Sequence, residues 1–516
     1  MRNAAALDKA VRALTDGAGG LGGAVAVLDH GETIVRHSWG YANAERRIPF
    51  APTTLFRICS ITKQFTCALL LDTIGHPTEL DGDIPSLLPN LRQAPPQTLH
   101  LCHNQSGLRD YWAVAMLQGA SIDGVFGPAE AERQFRATRT LQFEPGTRYS
   151  YANQNFTLLG QMIEHRANRD FASLLAERIF EKVGMATAFV AADTRAMPDG
   201  TEGYEGSAVT GYIPAINRIR WVADAGLGAS LDDMIAWERF IDGTNDQPDS
   251  LYKRLSGPVQ FRNGSRAAYG FGLSHGTAFG RTYTGHGGAL RGWRSFRMYV
   301  PSERISVVVL FNHMGNARAA ALDLFAALVD GREADFRTAA PALIGDYIEP
   351  ETKLLTRIAD KGNGTISIQF DEDADMLFGA ADGSASGGEV ALRPTSEGLR
   401  MDRPREGQSS IISPLGGVAK RDIAGRYRCE EFDATLLVAD AGGRFYGAFS
   451  GPFGDGRMEA MTAIGSDVWT LACPRALDQP PPGDWTIIFD RGSDDRPRGM
   501  TLGCQIARQL WFERLS

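Results

Sequence analysis

One lysine governs how this chain can fold. It stands in the run Phe56-Arg57-Ile58-Cys59-Ser60-Ile61-Thr62-Lys63-Gln64-Phe65-Thr66-Cys67-Ala68-Leu69-Leu70-Leu71, among largely apolar neighbours. The run reads as a buried helix, and a buried ammonium is costly unless it meets partners. Ser60 lies three positions before Lys63, and residues three apart share a helix face. The lysine amine is therefore placed to reach the serine hydroxyl. A hydroxyl is a weak nucleophile until a base removes its proton. Burial lowers a lysine's pKa toward the range where it can be that base. A lysine that snorkels its head group to the surface would fit the same letters. The chain carries a second copy, Ser250-Leu251-Tyr252-Lys253, just after the polar stretch Asp242-Gly243-Thr244-Asn245-Asp246-Gln247-Pro248-Asp249. In that setting the pattern reads as solvated surface.

Two further segments add chemistry in chain order. Phe143-Glu144-Pro145-Gly146 marks a turn, and Phe156-Thr157-Leu158-Leu159-Gly160 begins a helix. Between them, Tyr151-Ala152-Asn153 offers a phenol that can relay a proton and an amide that can both donate and accept. The like-spelled Tyr41-Ala42-Asn43 precedes Ser60 and follows a hairpin. Later comes Thr284-Gly285-His286-Gly287-Gly288-Ala289, followed by apolar runs Trp293 to Val300 and Ile305 to Phe311 around Pro301-Ser302-Glu303-Arg304. This pattern predicts antiparallel strands. Glycines inside a strand point to close approach by something else, such as a substrate; a bulge beside a satisfied histidine fits the same letters.

In this order the three segments resemble the penicillin-recognising serine hydrolases, which carry Ser-x-x-Lys, Tyr-x-Asn and Lys/His-x-Gly. Asn104-Gln105-Ser106-Gly107-Leu108 and Tyr269-Gly270-Phe271-Gly272-Leu273 are similar to the family as well. The resemblance covers roughly residues 1–330. It implies that Ser60 is the nucleophile, that Lys63 and Tyr151 are bases or proton relays, and that Asn153 positions substrate. His286 occupies the third-motif position, and Gly287 and Gly288 line the substrate. The oxyanion hole would be the backbone N–H groups of Ser60 and Ala289. Family members that bind a substrate carboxylate commonly have Lys-Thr-Gly or His-Thr-Gly. Here His286-Gly287-Gly288 lacks that hydroxyl, and no Lys or Arg lies between Tyr269 and Gly280. This departure favours substrates without a carboxylate there. The chain as a whole is most similar to the D-aminopeptidase branch, serine peptidases that release N-terminal D-residues such as D-Ala from peptides, amides and esters. The alternatives are a D,D-carboxypeptidase or β-lactamase, a short-chain esterase, and a non-catalytic penicillin-binding-type sensor.

The rest of the chain sets bounds. It has 516 residues, 43% hydrophobic and 22% charged, with a net charge of −8. That length and balance predict a soluble multidomain protein and argue against nucleic acid as a partner. No run approaches a membrane span, and the start, Met1 to Val11, reads as an amphipathic helix without a signal-peptide core. The six cysteines, Cys59, Cys67, Cys102, Cys429, Cys473 and Cys504, include no Cys-x-x-Cys. Cys59 and Cys67, placed on one helix, would be about 12 Å apart and unable to bridge. No metal or cofactor is expected. Free thiols fit the cytoplasm, and association into a homodimer is admitted.

Strands at Ala24 to Leu28 and Thr33 to Tyr41, the late strands and a helix at Ala317 to Leu328 predict an antiparallel sheet covered by terminal helices. A mostly helical region, about 65–260, is inserted between them. After Gly331 short alternating strands take over, and Ile344-Gly345-Asp346-Tyr347 is echoed by Ala424-Gly425-Arg426-Tyr427. Two such units predict two small antiparallel β-barrels. The expected division is a catalytic domain at 1–331, of β-lactamase/transpeptidase-like α/β fold, and barrels at 332–417 and 418–516. The last unit holds Arg475-Ala476-Leu477-Asp478-Gln479-Pro480-Pro481-Pro482-Gly483-Asp484-Trp485, a loop stiffened by consecutive prolines. The resemblance implies that this loop enters the active site and that Asp478 reads the substrate's free amino group.

Overall fold

A computed structural model describes residues 3–17, 20–191, 193–194, 197–220, 222–329, 331, 341–362, 364–370 and 374–515. The expected boundary at 332 and the first two residues lie outside the described residues.

The catalytic part is built on an antiparallel sheet of eight strands. They are β1 (Gly22–Asp29), β2 (Glu32–Asn43), β3 (Ile48–Pro49), β4 (Tyr269–Gly270), β5 (Leu273–Ala278), β6 (Arg281–Leu290), β7 (Trp293–Val300) and β8 (Ile305–Phe311). Their order is β4-β5-β6-β7-β8-β1-β2-β3, so the first and last strands of the domain meet at its centre. Val25 pairs with Val309 and Val27 with Val307. β1 is buried on both faces, and its alternation sorts side chains by size. Val25 and Val27 face the terminal helices α1 (Ala4–Gly17) and, later in the chain, Ala317–Val329. Ala24, Ala26 and Leu28 face the inserted helical region. Small residues there let helices lie close to the sheet.

Several ion pairs tie the sheet to that region, Arg36–Asp232 and Arg304–Asp242 among them, and one is fully buried. Arg297 on β7 meets Glu238 of the helix Leu231–Gly243, with Nε–Oε1 2.7 Å and Nη2–Oε2 2.6 Å, and both side chains have no exposure. Ser306 donates to Glu238 Oε2 at 2.7 Å, and Arg297 Nη1 donates to the Tyr252 hydroxyl at 2.7 Å. A buried pair this fully bonded offsets its own desolvation.

The C-terminal part forms two antiparallel barrels: a closed one of eight strands from Gly345–Ile348 to Gln408–Pro414, and a nine-stranded sheet from Gly425–Cys429 to Ala507–Arg514 that closes where Ala434–Ala441 pairs with Arg444–Gly451, with the short strand Gly454–Asp455 at its edge. The sequence echo has a structural basis. Tyr347 donates to the carbonyl of Leu343 at 3.1 Å and Tyr427 to that of Ile423 at 2.8 Å, the same corner opening each barrel. Among the described residues no helix is long and apolar enough to cross a membrane.

Replacing Arg297 by Met strands the Glu238 carboxylate in the core. Urea unfolding should show a loss of about 3–5 kcal/mol, and adding Glu238→Leu should recover much of it. A loss below about 1 kcal/mol would mean the pair carries little of the sheet–helix junction.

Candidate active site

The turn that carries Ser60 departs from the helix predicted for it. Phe56–Arg57 is a short strand against Leu227–Ala229, Cys59–Ile61 is a 3-10 turn, and the α-helix starts only at Thr62 and runs to Thr73. The departure begins in long-range pairing: Ile58 N–H donates to the Leu227 carbonyl at 3.1 Å. Cys59 then takes φ 52°, a left-handed conformation disfavoured for a side chain with a Cβ. Its thiol donates to the Arg57 carbonyl at 3.2 Å, and burial pushes its pKa up to about 12. Cys59 is thus a packing group, turned away by a backbone reversal and not by a helical step.

The turn leaves Ser60 partly exposed while Lys63 stays wholly buried. Lys63 Nζ donates to Ser60 Oγ at 3.0 Å, to Asn153 Oδ1 at 2.8 Å and to the Asp224 carbonyl at 2.8 Å. All three ammonium protons are used. Burial lowers its pKa to about 8, opposed by the charges of Asp224 and Asp110. Tyr151 donates its phenolic proton to Ser60 Oγ at 2.8 Å. Burial holds that phenol well above its ordinary pKa, so of the two groups on Ser60, Lys63 is the easier to poise as a base. Tyr151 and Asn153 reach the cluster from the loop preceding the helix Gln154–Ala167.

Two buried acids surround this lysine, and the sequence motifs did not include them. Asp110 Oδ2 accepts from Asn153 N at 2.7 Å and from Asn153 Nδ2 at 2.9 Å, while Oδ1 accepts from Trp112 N at 3.0 Å. Asp224 Oδ2 accepts the Tyr111 hydroxyl at 2.5 Å. An acid immediately before Tyr111-Trp112 is legible as a helix N-cap; nothing in the letters around Asp224 marks it. Tyr269, quoted only as part of a supporting segment, also touches the site through His286.

His286 lies on β6 with its ring 6.3 Å from that of Tyr151. Its Nδ1 is 2.5 Å from the Gly287 carbonyl, so it carries the proton, and Nε2 accepts the Tyr269 hydroxyl at 3.0 Å. Burial presses its pKa down to about 3. The ring is a neutral, fully bonded spacer between Tyr269 and the strand, and this geometry gives it no free nitrogen for proton transfer.

The glycines beside it have different reasons. A Cβ at Gly288 would stand 2.3 Å from the Ile58 carbonyl and 2.2 Å from Ser295 Oγ. The close approach expected of a substrate is made at Gly288 by the protein's own Ser60 turn. A Cβ at Gly287 would meet nothing nearer than Phe296 Cδ2 at 3.6 Å. Gly287 and Ala289 keep partial exposure, as Ser60 and Tyr151 do.

The second barrel sends a loop tip into this layer. Leu477 (φ 58°) turns it and joins the core of the catalytic part. The tip is Ala476–Gln479, ahead of the prolines, and Arg291 N–H donates to the Asp478 carbonyl at 2.6 Å. Asp478 is 3% exposed; its Oδ2 accepts from Arg218 N at 3.2 Å, Ile219 N at 3.3 Å and Thr194 Oγ1 at 3.2 Å. Burial lifts its pKa to about 6. The neighbour Gln479 makes the direct contact with the catalytic cluster, accepting from Asn153 Nδ2 at 3.3 Å. Among the described residues no group of three or more His, Cys, Asp or Glu side chains could hold a metal ion.

Residues 7–331 match the Beta-lactamase family model, and residues 337–513 match that of D-aminopeptidase, domain B. The chain is 54% identical over 521 residues to a D-aminopeptidase of Gluconobacter oxydans, covering 99% of both chains. It is 43% identical to a D-aminopeptidase of Brucella anthropi, covering 99% of this chain and 98% of that one. Among solved structures, D-amino acid amidase from Ochrobactrum anthropi SV3, complexed with D-phenylalanine, shares the fold with a TM-score of 0.53 at 22% identity, covering 63% of this chain and 99% of that one.

The two glycines give a paired test. Gly288→Ala must displace the Ile58 carbonyl or the strand, and labelling of Ser60 by a fluorophosphonate should slow by about a hundredfold or more, the scale of one lost oxyanion donor. Gly287→Ala should label within about threefold of wild type, having no such clash. Equal rates in the two variants would remove the steric argument.

Proposed function

The chain belongs to the D-aminopeptidase family, and on that premise we propose that it is a serine aminopeptidase releasing N-terminal D-residues, D-Ala among them, from peptides, amides and esters. The observation that carries the reading is the convergence of Lys63 and Tyr151 on one oxygen, Ser60 Oγ, at 3.0 and 2.8 Å. An activated serine serves acyl transfer and is superfluous in a sensor.

In this proposal neutral Lys63 takes the Ser60 proton as Oγ attacks the substrate carbonyl. The N–H groups of Ser60 and Ala289 hold the oxyanion. The leaving amine departs with a proton relayed through Tyr151. Water then attacks the acyl-enzyme, gives its proton back along the same path, and frees the D-amino acid. Asn153 holds both Lys63 and the substrate; Gly287 and Gly288 are the strand on which the substrate lies, and His286 stiffens it. Asp478 pairs with the substrate's ammonium. Support for that role is the buried carboxylate itself, in a loop that reaches Asn153 through Gln479.

The same reading divides the chain into 1–331, 332–417 and 418–516, supported by barrel strands that end at Pro414 and resume at Gly425. A cytoplasmic location is supported by six cysteines that are all unpaired and buried. A homodimer completes it; light scattering should give twice the mass of one chain.

The decisive comparison is kcat/KM on D-alanine p-nitroanilide, its N-acetyl derivative and its L-isomer. Only the first should turn over well, and folded Ser60→Ala should lose nearly all of that turnover. Lys63→Arg, which keeps a charge it cannot surrender, should be almost as damaging as Lys63→Ala. Preference for the N-acetyl substrate would show that no free amine is read and would overturn the aminopeptidase reading in favour of an amidase or esterase.

Asp478→Asn should cut kcat/KM by about ten- to a hundredfold for the free amine, the worth of one charge-assisted hydrogen bond. The residual rate on the N-acetyl compound should barely change. Equal losses on both substrates would leave Asp478 a purely structural acceptor.

A further inference from the structure

Asp110 has no solvent exposure, yet it does far more than end a helix. A helix cap needs one side-chain oxygen, and here Oδ1 fills that role by accepting from Trp112 N at 3.0 Å. The other oxygen takes both N–H donors that Asn153 can turn toward it, main-chain at 2.7 Å and side-chain at 2.9 Å. That fixes the Asn153 amide: Nδ2 points to the acid, so Oδ1 faces Lys63 Nζ at 2.8 Å. The main-chain N–H of Asp110 is held in turn from the second barrel, donating to the Ile506 carbonyl at 2.8 Å. Arg109 adds a second tie, its Nε donating to the Arg508 carbonyl at 2.8 Å.

We propose that Asp110 is a positioning residue for the acylation base: through Asn153 it orients Lys63, and its negative charge, beside that of Asp224, holds Lys63 toward the ammonium. The inference rests on Lys63 being the base for Ser60. The groups facing Lys63 are few. Ser60 and Cys59 come from its own turn, Tyr151 and Asn153 from the loop, His286 from β6, and Asp224 from the segment beside Leu227–Ala229. Asp224 presents Lys63 with its main-chain carbonyl while its carboxylate is engaged by Tyr111. Asp110 also faces the Cys504 thiol, which burial keeps protonated. Burial raises the pKa of Asp110 to about 6, so it is ionised when Lys63 titrates.

The sign follows. A nearby carboxylate favours the ammonium, so removing its charge lowers the pKa of Lys63. The test is the pH dependence of Ser60 inactivation by phenylmethylsulfonyl fluoride. This probe carries no amine, so its profile reads the free enzyme whatever the natural substrate is. Two variants are compared with wild type: Asp110→Asn, and Asp110→Ser, which keeps a good helix cap. In both, the acidic limb should move down by about one pH unit, the lower end of the effect of a close opposite charge. The plateau rate should fall about tenfold as Asn153 loses its anchor. Folded variants whose limb stays at the wild-type pH would overturn the proposal, whatever their plateau. So would failure of both to fold, which would make Asp110 a structural acceptor whose bonds to Asn153 serve the fold. A protein that fails on D-alanine substrates yet shows the shifted limb would sink the substrate assignment and leave this inference standing.

Discussion

An ammonium taken fully out of water is the constraint around which the catalytic part is arranged. Lys63 has no solvent to hydrogen-bond, so three oxygens must stand in for it, and each comes from a different stretch of chain: Ser60, Asn153 and Asp224. The short strand Leu227–Ala229 holds the Ser60 turn so that the first oxygen is in place, and Thr62 Oγ1 accepts from Leu227 N at 3.1 Å to close that corner. The same desolvation that makes the lysine expensive to bury brings it within reach of neutrality. Stability and reactivity are here one electrostatic quantity, adjusted by the carboxylates nearby.

The barrels are part of this arrangement. The first barrel's Glu406 carbonyl accepts from Tyr149 N at 3.1 Å, two residues before Tyr151, and Arg405 lies 5.4 Å from the centre of the Tyr149 ring. The second barrel reaches Asp110 with Ile506 and Asn153 with Gln479. The Tyr151–Asn153 loop is therefore clamped from outside the domain that carries it. Such external bracing suits a loop whose phenol must hold a few tenths of an ångström against Ser60.

Much of this was legible in the sequence. Ser60, Lys63, Tyr151 and His286 were legible through the resemblance of their ordered motifs to a known family, and the alternation of β1 and the Tyr347/Tyr427 echo report local structure directly. What the letters hid depends on distant partners. Phe56-Arg57 has the composition of a helix start, but Leu227–Ala229 claims its backbone and the helix is postponed to Thr62. Gly288 looked like room for a ligand and is room for the Ile58 carbonyl. The proline run drew attention to loop stiffness, whereas the tip that enters the site precedes it and is anchored by Leu477 in another domain's core. Asp110 could have been found as a helix cap; its second bond, to Asn153, could not.

The tie between Ile506 and Asp110 has a consequence for synthesis. Ser60 and Lys63 leave the ribosome early, and the catalytic sheet can close once β8 has emerged. The last support of the catalytic layer is then hundreds of residues away in time as well as in sequence. A ribosome-bound chain carries Ser60 and Lys63 through most of translation without the Ile506 carbonyl that the Asp110 N–H meets in the folded chain, so the layer around Lys63 is complete only once the final strands have formed.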